Sequence, residues 1–155
     1  MSVQRVRIIN QSLVDVPAEK AWEYLIDWSG TKRKARVGQL GELTLSSIKL
    51  EGGQDQIPRT RVMEFAFGVV RETLLHQDNE AMHLYYNIEG TGPNGLRNYL
   101  ATTDVDPAGP SRCQITITAR FDLDDRADVA KAKALIDFAH NQGVIAAIAR
   151  YYAPK

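Results

Sequence analysis

The chain has 155 residues, 44% hydrophobic and 25% charged, with 19 Lys and Arg against 19 Asp and Glu. That length suits one domain, 1–155, able to bury a sizeable core, and the composition excludes a disordered or fibrous chain. Without net charge no general field recruits phosphate backbones or anionic lipid, so a nucleic-acid partner is not expected.

No apolar run approaches the roughly 20 residues that span a bilayer, so no stable membrane insertion is expected. The first fifteen residues alternate polar and apolar side chains and lack the apolar stretch of a signal peptide. A lone Cys113 can form no internal disulfide, and no Cys/His spacing matches a zinc site. The expectation is a soluble protein of the reducing cytoplasm with no metal and no cofactor.

In chain order, residues 3–15 alternate with Val6 and Ile8 opposed to Val3, Arg5 and Arg7, which predicts a half-buried strand. Val16-Pro17-Ala18-Glu19 opens a helix, since proline is tolerated in a first turn and an acid there complements the dipole. Ala21, Trp22, Leu25 and Ile26 continue it at helical spacing, to an end near Asp27-Trp28-Ser29-Gly30. A basic run, Lys32, Arg33, Lys34 and Arg36, suits a second short helix with a solvated face; its rival reading is a surface for an anionic substrate tail or carrier protein. From Leu40 to Phe121 the punctuation is that of an antiparallel meander. Its strands are predicted at 43–50, 59–67, 69–76, 82–89, 96–105 and 113–123, with Gly90 to Gly95 as a marked loop. That loop has no helix behind it and is no phosphate cradle. From Asp125 to Tyr152 the period becomes helical and alanine-rich, and Gly143 in its middle predicts a kink or a close approach to the sheet. Strand, helix, several strands and a long helix make an α+β protein with its helices on one side of the sheet.

This order resembles the START-like or SRPBCC superfamily, whose helix-grip fold is that of the birch pollen allergen, and within it the polyketide cyclase/dehydrase-like branch. The resemblance is carried by Val14 to Trp22 at the first strand-to-helix junction, by Ile57-Pro58-Arg59-Thr60-Arg61 with Val70-Arg71-Glu72-Thr73-Leu74, by Ile88 with Leu96-Arg97-Asn98-Tyr99, and by Thr116 to Phe121. Glu72-Thr73-Leu74 and Leu96-Arg97-Asn98-Tyr99 are also similar to elements of the plant abscisic-acid receptors. The resemblance implies a curved sheet of about six or seven strands wrapped around a long C-terminal helix, short helices after the first strand, and an internal cavity. By the same resemblance Glu72, Tyr99 and Ala119 line that cavity. Ala119 stands where the receptors carry a carboxylate, Gly90 to Gly95 resembles their latch loop, and Phe67-Gly68 a shortened gate loop.

Alternation divides each strand into two faces, and the apolar members identify the inner one. The expected inward residues are Arg61, Met63 and Phe65; Val70, Glu72, Leu74 and His76; Leu84, Tyr86 and Ile88; Arg97, Tyr99, Ala101 and Thr103; and Ile117, Ala119 and Phe121. On the helix, Ile136, His140 and Val144 form a stripe facing the sheet. Glu72 stands out, because a carboxylate on an apolar face must be hydrogen-bonded or have its pKa raised. It would anchor a polar group of a ligand, act as a base, or sit in a salt bridge with Arg61 or Arg71. His140 suits a proton shuttle or a packed core histidine. Tyr86 and Tyr99 offer hydroxyls on apolar bodies, and Arg61 and Arg97 offer forks for an oxyanion. His76, beside a turn, and His83, facing away, are weaker candidates.

Three functions fit. The first is a module that binds a small, mostly hydrophobic molecule (aromatic, polyketide-like or lipid-like). The second is a cofactor-free cyclase, dehydratase or isomerase in which Glu72, His140 and Tyr99 are catalytic, with Glu72 or His140 taking a proton and Tyr86, Tyr99 or Arg61 holding the oxyanion. The third is a co-chaperone-like interaction protein, which requires a filled cavity. Tyr151-Tyr152 or an edge strand would serve to pair two copies as a homodimer.

Overall fold

Among the described residues each strand pairs antiparallel with its neighbour in a seven-stranded sheet of order β1-β7-β6-β5-β4-β3-β2, so the first and last strands of the chain, β1 and β7, lie side by side. The computed structural model describes residues 2–34 and 45–154. The strands are β1 (Val3–Val14), β2 (Leu45–Glu51), β3 (Arg59–Phe65), β4 (Gly68–Asp78), β5 (His83–Ile88), β6 (Arg97–Pro107) and β7 (Cys113–Asp124). Two short helices, α1 (Ala18–Ile26) and α2 (Thr31–Lys34), follow β1, and α3 (Val129–His140), a π-turn (Asn141–Ile145) and α4 (Ala146–Tyr151) close the chain. The curved sheet and long C-terminal helix are those of the helix-grip fold. Arg36 and the expected strand start at Leu43 lie outside the described residues.

Alternation sets what each strand buries. In β1, Val6, Ile8 and Asn10 point inward and Arg7 and Ile9 outward; in β5, Leu84, Tyr86 and Ile88 are buried; in β7, every second residue from Cys113 to Leu123 is buried. One face departs from expectation. A bulge between Leu74 and His76 breaks the β4–β5 register, so His76 leaves the inward row that Val70, Glu72 and Leu74 keep. A bulge gives two residues to one partner and flips the pleat beyond it. His76 stacks on Tyr85 with ring centroids 5.0 Å apart, outside the core.

The helical ends follow local chemistry. Pro17 is the residue before α1, and its carbonyl accepts from the amides of Lys20 and Ala21. The long helix starts at Val129 rather than at Asp125, because the Asp128 carboxylate caps it by accepting from the Lys131 amide. Gly143 lies in the π-turn, which inserts an extra residue between two α-helical halves.

After α1 the chain turns sharply at Gly30, whose φ of +73° is left-handed and whose amide donates to the Asp27 carbonyl. A Cβ there would run into the buried side chain of Ile48 in β2. Gly30→Ala therefore combines backbone strain with overpacking. It is expected to cost about 2–3 kcal/mol, read as a lower urea midpoint at unchanged slope.

Candidate functional site

Beneath α3 the inner face of β3 to β6 leaves a cavity of about 120 Å³. Its walls are mostly apolar: Leu45, Met63, Phe65, Phe67, Val70, Ile88 and Pro93 from the sheet and its loops, and Leu135, Ile136, Ala139, Gly143 and Val144 from the helix and π-turn. Tyr24, Arg61, Glu72, Tyr86, Tyr99 and His140 add the polar groups. A second hollow, of about 960 Å³, opens outward between the β3–β4 turn, the loop before β6 and α3. Phe67, Val70, Pro93 and Leu135 line both, so these four side chains form the partition between them. Phe67, on the loop read as a gate, is half exposed and stacks on Phe65 at 5.1 Å.

At one side of the cavity lies a buried ion pair. Arg61 and Glu72 sit opposite each other in the β3–β4 register, and the Arg61 Nε and Nη2 both donate to Glu72 Oε1, at 2.8 and 2.6 Å. The two residues are only 4% and 7% exposed. Glu72 Oε2 accepts no hydrogen bond among the described residues. Of the two salt-bridge partners open to Glu72 in the sequence, the structure selects Arg61. Arg71, on the outer face, pairs instead with Glu51 and Glu89.

The Trp28 ring lies under the Arg61 guanidinium, 3.7 Å from its centre, an arrangement that attracts a cation to the ring face. Its own indole N–H donates to the Glu72 carbonyl, and Tyr86 meets its edge at 5.5 Å. Trp28 therefore fixes both members of the pair from outside the cavity. Its position just beyond α1 gave no sequence signal of this role.

At the other side Tyr99 and His140 join sheet to helix. Their Oη and Nε2 are 2.9 Å apart, and the Tyr86 and Tyr99 hydroxyls 3.5 Å apart. Burial pulls the His140 pKa down to about 4, against the opposing pull of the Asp137 carboxylate, so the ring is neutral at pH 7. Burial first, and then the neighbouring Tyr86, push the Tyr99 hydroxyl well above its ordinary range, so it stays a phenol. Behind His140, the Asn10 amide nitrogen lies 3.1 Å from Asp137 Oδ1 and 3.3 Å from His140 Nδ1, while Asn141 donates to Asn10 Oδ1 at 2.9 Å.

Of the residues singled out in the sequence, Arg61, Met63, Phe65, Val70, Glu72, Tyr86, Ile88, Tyr99, Ile136, His140 and Val144 line the cavity. Leu74, Ala101, Ile117, Ala119 and Phe121 do not; all are buried in the solid core. For Ala101, Ile117, Ala119 and Phe121 the packing is that of the β6–β7 side, where Phe121 stacks on the Tyr99 ring at 6.2 Å and the Tyr99–His140 bond ties sheet to helix; Leu74, on β4, is fully buried two residues beyond Glu72. Arg97 pairs with Asp124 outside the cavity, and His83 with Asp104. The sequence reading missed Asn10 and Asp137. Asn10 carries the same signal as Glu72, a polar residue on the apolar face of a strand. Among the described residues no group of His, Cys, Asp and Glu could hold a metal ion.

Residues 5–150 match the family described as polyketide cyclase / dehydrase and lipid transport. The chain belongs to this family. No curated protein sequence matches it. Solved structures share its fold: truncated norcoclaurine synthase from Thalictrum flavum superposes with a TM-score of 0.76 at 18% identity, covering 100% of this chain and 98% of that one. A protein from Bacillus thuringiensis gives 0.74 at 14% identity over 96% and 100% of the two chains. One from Thermobifida fusca gives 0.67 at 24% identity over 94% and 92%. Membership of the cyclase/dehydrase and lipid transport family supports hydrophobic-ligand binding or cyclase-type chemistry in general terms. Among the described residues no helix is long and apolar enough to cross a membrane.

Proposed function

We propose that this protein binds a small, neutral, mostly hydrophobic molecule in the cavity beneath α3. The observation that carries the reading is the cavity itself, an apolar chamber with a few convergent polar groups, which is how small-molecule sites are generally built. Its volume of about 120 Å³ is close to the roughly 150 Å³ of an engineered apolar cavity that takes up benzene. The chamber thus suits a head the size of one aromatic ring, and anything larger passes the Phe67–Pro93 partition into the outer hollow. The Arg61–Glu72 pair brings no net charge, which favours a neutral guest. Arg61, Glu72, Tyr86, Tyr99 and His140 orient it, while the remaining wall residues supply apolar contact.

A second reading is favoured by one further observation: a neutral imidazole hydrogen-bonded to a phenol, both on the cavity wall, across from the Glu72 carboxylate. Such a set serves a cofactor-free cyclase or dehydratase, in which Glu72 takes a proton and Tyr99, held by His140, donates to the forming oxyanion. The co-chaperone-like reading needed a filled interior, and the cavity speaks against it.

The test is direct. Native mass spectrometry of freshly purified protein is expected to show a co-purifying apolar compound, and calorimetric titration to show saturable binding of single-ring ketones. Ala139→Leu, which fills the chamber from the helix side, is expected to weaken that binding about tenfold or more while Tm stays within a few degrees. Equal binding by wild type and the filled variant would sink the proposal.

A further inference from the structure

Three side chains outside the cavity decide what its polar end can recognise. Asn10 lies on the inward face of β1, against α3. The carboxylate of Asp137 can only accept, so the Asn10 amide must turn its NH2 group toward it, across 3.1 Å. Asn141 enforces the same orientation from the other side by donating to Asn10 Oδ1 at 2.9 Å. The second hydrogen of that NH2 group then points at His140 Nδ1, 3.3 Å away. A ring nitrogen that accepts carries no proton, and a neutral imidazole has one proton to place. It sits on Nε2, which donates to the Tyr99 oxygen at 2.9 Å.

The Tyr99 oxygen, engaged as acceptor by His140, keeps its own hydrogen for another partner. The Tyr86 oxygen at 3.5 Å is at the limit of a hydrogen bond. Both rings line the cavity. We propose that Asp137, Asn10 and His140 act as a relay that holds Tyr99 as a hydrogen-bond donor to the cavity, so that the protein selects guests carrying an acceptor oxygen, a ketone or enone carbonyl, on a ring-sized apolar head. The inference rests on the cavity being a binding site. It adds the chemical class of the guest and makes Asn10 and Asp137 positioning residues, since neither lines the cavity.

Two probes separate the outcomes. Acetophenone and α-methylstyrene have the same shape and differ in a carbonyl oxygen against a methylene. Removing the donor with Tyr99→Phe is expected to raise the acetophenone Kd about five- to tenfold, the worth of one neutral hydrogen bond, and to leave the α-methylstyrene Kd within about twofold. A parallel change for both probes, or none for the ketone, overturns the inference while leaving the binding site intact. If wild type binds neither probe, the binding reading itself falls and the guest class with it. The relay has its own readout, independent of any ligand and of how well Tyr99→Phe folds. A long-range proton–nitrogen correlation spectrum of the wild-type histidines is expected to show His140 protonated at Nε2 and bare at Nδ1. Asn10→Leu, which removes the donor to Nδ1, is expected to populate the other tautomer. A wild-type ring protonated at Nδ1, or a spectrum unmoved by Asn10→Leu, overturns the relay.

Discussion

Arg61→Met is expected to cost the folded state about 3–5 kcal/mol, the largest single loss among the polar residues of the cavity. Among the described residues Arg61 is the one ion-pair partner of Glu72, and both are almost fully buried. Methionine matches the bulk of the arginine stem but leaves the carboxylate in an apolar surround without its cation, and it gives up the stacking on Trp28, worth about 1 kcal/mol more. The double variant Arg61→Met/Glu72→Leu removes the stranded charge and is expected to regain at least half of the loss. Urea unfolding of wild type, the single variant and the double variant measures this directly. A single variant within about 1 kcal/mol of wild type would mean that the pair contributes little to the fold. An additive double variant would mean that each residue acts through separate contacts.

The second large effect is a loss of stability in mild acid that belongs to His140. Its pKa lies at about 4 in the folded protein, lowered from 6.5 by burial. Between those values the unfolded chain binds the proton and the folded one does not. Stability therefore rises with pH across this window: the contribution is complete above 6.5, shrinks as the pH falls toward 4, and changes little below that. A shift of this size corresponds to a loss on the order of 3 kcal/mol across the window. Asp137 works against the shift, and Tyr24, Tyr99, Tyr86 and the Arg61–Glu72 pair are the other polar groups around the cavity. His140→Gln keeps hydrogen-bonding capacity and does not titrate. The stability gap between wild type and this variant is expected to narrow from pH 7 to pH 4.5 by about 2 kcal/mol or more, and a gap that stays constant would refute the assignment. Carboxylates elsewhere, such as Glu89 held below its usual range by hydrogen bonds from Arg71 and Thr73, are common to both proteins and cancel in the difference.

The sheet was legible because strand alternation depends on adjacent residues, and the side chains of β5 and β7 obey it from end to end. Glu72 and His140 could be found the same way, as polar residues in apolar rows. The bulge after Leu74 could not, because nothing in Leu75-His76-Gln77 departs from strand chemistry; the break is decided by pairing with β5. Nor does alternation say where an inward face meets a hollow and where it meets a filled core. Ala119 and Ile117 face inward as read, yet the Tyr99–Phe121 stack and the bond to His140 leave no space above them. That outcome depends on ring orientations set across elements far apart in sequence. The Asp137–Asn10–His140 chain was hidden for a related reason: Asn10 is polar on an apolar face, but its partners lie on the last helix.

The π-turn at Asn141–Ile145 has a consequence for how the last helix packs. One surplus residue there uncouples the angular phase of α4 from that of α3. With the phase reset, α4 turns Ala147 and Ile148 into the core while Ile136 and His140 keep facing the sheet. Each half of the last helix thus buries its own face, the first roofing the chamber and the second seating Ile148 in the core.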